Sequence, residues 1–134
     1  MTVDIAHAGN CSVHILKKCP LVYLATVYTS YPYGAEKAFR HAAELTGKLM
    51  LAGVKVFSPI VHGHPLSVHG GVPAFDHVLW LEFDEALMRK SDALAVARME
   101  GWEKSHGIAY EVRVFEKAGK PIYYIDPYDL SFVE

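Results

Sequence analysis

Residues 21–27 read Leu21-Val22-Tyr23-Leu24-Ala25-Thr26-Val27, an apolar run between Pro20 and a polar turn spanning 28–34. A run this short and this continuously apolar predicts a strand buried on both faces, because a half-exposed strand would alternate apolar and polar side chains. The segment after the turn has a different period. Ala35, Ala38, Phe39, Ala42, Leu45, Leu49 and Ala52 fall at helical spacing, so 35–52 is predicted as an amphipathic helix that Gly53 stops in a left-handed conformation. The same alternation continues along the chain. Strands are predicted at 54–57, 93–97 and 121–125, and helices at 74–90 and 105–118, the last with Ser105 as N-cap and Gly119 as stop.

Strand and helix in strict alternation imply parallel strands joined by right-handed crossovers, with helices on both faces. The expected fold is a three-layer, flavodoxin- or Rossmann-like α/β domain with four to five parallel strands in the order 2-1-3-4. Residues 19–134 make up this single domain. Residues 1–18 lack clear periodicity and read as an N-terminal extension, and 126–134 as a tail. Residues 58–73 carry three glycines, three prolines and three histidines. That composition predicts a long irregular loop, a kind of segment that in compact domains is usually functional or mobile.

With 134 residues, 51% of them hydrophobic, the chain is long enough for one real core. Charged residues are 21% and the net charge is −2, with the basic residues scattered. This argues against a disordered tail or a surface built to grip a nucleic-acid polymer. No apolar stretch approaches the ~20 residues of a membrane span, and the N-terminus lacks the pattern of a signal peptide. Cys11 and Cys19 are too few for a disulfide scaffold. They either pair across a short loop or, more simply, stay as free thiols in a reducing cytosol. A cytoplasmic protein is expected.

In an open parallel sheet, ligands bind beyond the carboxyl ends of the strands, where the winding reverses. That places the expected site in Tyr23–Tyr31, Ser58–Pro73 and Arg98–Glu111. The segment Gly101-Trp102-Glu103-Lys104-Ser105-His106-Gly107 leads into the last helix, whose free N–H groups and dipole suit an anion. Ser105 adds a hydroxyl, and Gly107 lets a ligand approach the backbone. Glu111 lies four residues after Gly107 and shares its helix face, so its carboxylate either faces a bound sugar or is a solvated helix charge. Asp84 is open to the same two readings. Trp102 either stacks on a base or packs in its loop, and Trp80 reads as core. His106 either assists an anion or is exposed.

His62-Gly63-His64 offers two imidazoles, but the spacing matches no strong zinc pattern. No metal or cofactor is expected, and one histidine of this segment, such as His62, lines the pocket. Tyr28, Tyr31 and Tyr33 are candidates for a subunit interface.

Five segments in order carry a resemblance: Tyr23-Leu24-Ala25-Thr26, Val56-Phe57-Ser58-Pro59, Ser91-Asp92-Ala93-Leu94, Ser105-x-Gly107-x-x-x-Glu111 and Gly119-Lys120-Pro121-Ile122. Together they resemble the nucleoside 2-deoxyribosyltransferases and the related deoxynucleoside 5′-monophosphate N-glycosidases over residues 21–125. The Gly-Trp-x-x-Ser-x-Gly segment at 101–107 is similar to one found in a bacterial and phage branch.

The resemblance implies a fold and a set of roles. Glu111 matches the nucleophile. Asp84, eight residues before Asp92, matches an aspartate that contacts the base or helps it leave. Tyr23 matches a tyrosine beside the sugar, and Thr26 falls in the same first-strand segment at the site. Ser105 stands where the monophosphate hydrolases have serine and the transferases of free nucleosides tend to have aspartate. An aspartate would repel a 5′-phosphate, and a serine can donate a hydrogen bond to it. The chain departs from the hydrolases in having no arginine at 27–30, and from many transferases in lacking Gly-Pro in the first-strand segment.

The implied partner is a small nucleoside or nucleotide, bound by a homodimer or larger oligomer. The implied reaction breaks an N-glycosidic bond. The alternative is a non-catalytic module of the same fold that binds or senses a nucleotide.

Overall fold

The structure is a computed structural model and describes residues 12–133. Four strands, β1 (Val22–Ala25), β2 (Val56–Phe57), β3 (Ala93–Ala97) and β4 (Ile122–Ile125), form one sheet in the order β2-β1-β3-β4. Every pairing is parallel. The helices are α1 (Ala35–Leu51), α2 (Pro59–His69), α3 (His77–Lys90) and α4 (His106–Lys117), with a 3-10 turn at Trp102–Lys104 before α4. This is the expected three-layer α/β architecture with four strands.

The register divides the side chains between two faces. Tyr23 is level with both Phe57 and Leu94, and Leu94 with Ile122, so these four share one face. Tyr23 meets Phe115 of α4 there, ring centroids 5.9 Å apart. Right-handed crossovers then put α3 and α4 on this face and α1 on the other. The central strands β1 and β3 are buried at every position, as continuous apolar runs require.

Three expectations change. Residues 1–11 lie outside the described residues, but 12–17, expected in the extension, are helical. Leu16 is fully buried there, and the Ser12 hydroxyl accepts a 2.8 Å hydrogen bond from the Phe132 N–H. Phe132 stacks on Tyr123 and bridges to Ile125, so the tail is partly tied down as well.

The largest change is at 58–73, which is mostly a helix. Ser58 caps α2 by accepting from the Val61 N–H at 3.2 Å, and Pro59 occupies the first turn, where no N–H is needed. Gly63 sits inside α2 because a Cβ there would lie 3.1 Å from the Trp80 ring. Packing against α3 thus explains a glycine that composition alone reads as a loop signal.

Two motif residues prove structural. The Asp92 carboxylate accepts from the Leu21 N–H at 2.9 Å and anchors the start of β1. The Lys120 ammonium donates to the Met88 and Arg89 carbonyls at 3.1 and 2.9 Å, closing the C-terminus of α3.

Candidate functional site

Glu111 leaves the inner face of α4, an amphipathic helix that also buries Ile108 and Phe115. Only 9% of it is exposed. A helix glutamate is normally solvated, so this burial is the first anomaly. Burial pushes its pKa up to about 8; the Tyr23 phenol lowers it and the Asp84 charge raises it further. Asp84 comes from α3, is partly buried, and is raised to about 6 by desolvation. Tyr23, on β1, is fully buried. Its phenol is pushed strongly upward by burial, then by the charges of Glu111 and Asp84. The Tyr23 hydroxyl has no partner at full hydrogen-bond geometry among the described residues, although it lies near enough to act on Glu111. Two helices and the sheet thus bring together the three residues singled out as catalytic.

The Asp84 charge acts on Glu111, so the two carboxyls titrate against one another. Between about pH 6 and about pH 8 the pair holds a single proton, which is the state that supplies one acid and one base.

The other candidates fall around this group. The Ser105 hydroxyl accepts from the Ile108 N–H at 3.1 Å as N-cap of α4, which leaves its proton free to donate. A Cβ on Gly107 would meet nothing closer than the Ser105 hydroxyl at 3.8 Å, so the space over the helix start is open. His106 is exposed. Thr26 is buried with its hydroxyl unpartnered among the described residues. Trp102 is committed to packing, 5.6 Å from the Tyr124 ring, and the Arg98 guanidinium lies 5.1 Å from its centroid.

His62 and His64 diverge. His62 stacks on Phe83 at 4.9 Å and approaches Phe57 at 5.8 Å. Buried His64 bonds the Tyr28 hydroxyl at 2.7 Å and the Glu36 carboxylate at 2.9 Å. The pair does not chelate. Among the described residues no cluster of three or more potential ligands could hold a metal. Tyr28 and Tyr31 are likewise occupied internally, Tyr31 with His41 at 2.5 Å, which leaves Tyr33 as the exposed member of the proposed tyrosine surface.

Sequence reasoning missed Phe83, which stacks on His62 at 4.9 Å; its place directly before Asp84 was the available signal.

Fold and site together define a parallel α/β domain with two coupled carboxyls set beside a buried phenol. The chain matches the family described as a domain of unknown function, DUF1937, over residues 20–126, and it belongs to that family. No curated protein matches it. Among the described residues no helix is long and apolar enough to cross a membrane.

Proposed function

We propose that this protein is a cytoplasmic enzyme that breaks the N-glycosidic bond of nucleosides or their 5′-monophosphates, working as a homodimer or larger assembly. The observation that carries this reading is the burial of Glu111 beside Asp84 and Tyr23. A solvated Glu111 would have removed the nucleophile.

In the proposed reaction a Glu111 oxygen attacks C1′ of the sugar while the C1′–N bond breaks. The bonding pair leaves with the base, which takes a proton from Asp84. Water or a second base then attacks C1′, gives its proton to Asp84, and releases Glu111. Burial by itself favours the proton on Glu111. The positive charge that develops on the sugar as the bond breaks stabilises ionised Glu111, so the reaction runs through the form that holds the proton on Asp84. Tyr23 positions Glu111. Ser105 and the start of α4 hold the 5′ end of the substrate.

The test is base release from a panel of deoxynucleosides and their 5′-monophosphates, with and without an acceptor base, beside Glu111→Ala. Release that disappears in the variant supports the proposal. Exchange only with acceptor makes the protein a transferase. No turnover by the wild type overturns the catalytic reading in favour of a nucleotide-binding module.

A further inference from the structure

An open groove of about 620 Å³ runs between α2 and α3, a size typical of small-molecule sites. His62, Leu66 and Val72 form one side, and Leu79, Trp80 and Phe83 the other, with Glu82 as the acid in its wall. Trp80 and Asp84 are four residues apart on α3 and share a helix face. Phe83 immediately precedes Asp84. A series of rings joins the groove to the catalytic group: Tyr23 to Phe57 at 5.7 Å, Phe57 to His62 at 5.8 Å, and His62 parallel to Phe83 at 4.9 Å with 7° between planes. The Trp80 ring is held by two constraints. Its indole N–H donates to the Pro73 carbonyl at 2.9 Å, and Gly63 lets it lie against the α2 backbone.

Resting on the proposed glycosidic cleavage, we infer that this groove receives the departing base and selects it by stacking area. The walls are rings and aliphatic groups, and they offer His62 and Glu82 as side-chain hydrogen-bonding groups beside the Trp80 N–H, which is already spent. Such a surface favours a purine over a pyrimidine by area. It discriminates weakly between two purines, because base edges go largely unread. The base leaves on the Asp84 side of the sugar, where the proton it needs is held.

The test separates binding from chemistry. The free bases adenine and cytosine are titrated into Trp102→Phe protein, in which Trp80 is the remaining tryptophan, with Trp80 fluorescence as readout. Saturable quenching by adenine, about tenfold weaker for cytosine and about tenfold weaker for adenine after His62→Ala or Phe83→Ala, is expected. Both of those side chains are exposed, and unchanged circular dichroism verifies the fold of each variant. Absence of adenine quenching, or quenching that neither variant weakens, overturns the groove as base site, whatever the turnover assay shows. Quenching as expected, with no base released from any nucleoside, supports the groove and defeats the catalytic proposal alone.

Discussion

Glu111 costs the fold stability. Folded Glu111 keeps its proton up to about pH 8, whereas the unfolded chain releases it near the ordinary value of 4.5. Between those values the folded state binds the additional proton. The penalty is therefore absent below about pH 4.5, where both states hold the proton, and stability is lost as pH rises from there through about 8. Glu111→Gln removes the penalty and is expected to stabilise the protein by on the order of 3 kcal/mol at pH 7 while ending base release. Thermal melts from pH 4 to pH 8 check this, and a variant no more stable than wild type at pH 8 refutes it. In the proposed reaction the same pair sets the rate. kcat/KM should rise through about pH 6, as one carboxyl ionises, and fall through about pH 8, as the last proton leaves. Asp84→Asn should abolish the alkaline limb and slow natural bases far more than a nitrophenyl leaving group, which needs no proton. Ser105 was legible in the sequence as a helix cap, and Glu111 as the residue four after Gly107 on the same helix face. Whether Glu111 faced water was not, since the side chain that meets it, Tyr23, is on a strand almost ninety positions away.

Gly101 shows how elements are joined at the carboxyl ends of the strands. It has φ +88°, and a Cβ there would lie 2.6 Å from the Ser30 carbonyl oxygen. The Ser30 hydroxyl donates back to the Gly101 carbonyl at 3.1 Å. The loop after β1 is thereby locked to the loop before α4. Gly101→Ala is expected to cost about 2–4 kcal/mol, through strain and a backbone clash, and chemical denaturation measures it; a loss under 1 kcal/mol would show the loops free to part. Lys120→Met should cost about 1 kcal/mol by uncapping α3, with faster amide exchange confined to the last turn of that helix. The alternation of strand and helix was readable because β1 and β3 are buried on both faces and α1 and α4 are strongly one-sided. Helix α2 was not. His62-Gly63-His64-Pro65 carries no stripe, and its helical state comes from the Ser58-Pro59 start and from Trp80 packing on Gly63, a contact between separate helices that local propensity does not encode.

At the scale of the whole molecule, α3 is the anomalous part. Met88 is its one buried residue, while Phe75, just before the helix, is 81% exposed and Val78 70%. Leu81 is exposed on the same flank, away from the groove side that holds Leu79 and Phe83. An apolar flank of this kind marks an interface, and a second copy of the chain is the partner proposed above. Val78→Glu with Leu81→Glu should give a monomer by sedimentation while wild type sediments as a dimer or larger; wild-type monomer at micromolar concentration would sink the assembly. The strand order carries a further consequence. The Leu21 N–H is tied to the Asp92 carboxylate, 71 residues later, and β1 lies between β2, only two residues long, and β3. During synthesis at about 5–20 residues per second, β1 waits roughly 4–14 seconds for its main neighbour to leave the ribosome. Its edge of unpaired backbone groups, flanked by apolar side chains, is open throughout that interval, so the strand that carries Tyr23 is a natural place for a chaperone to hold the nascent chain.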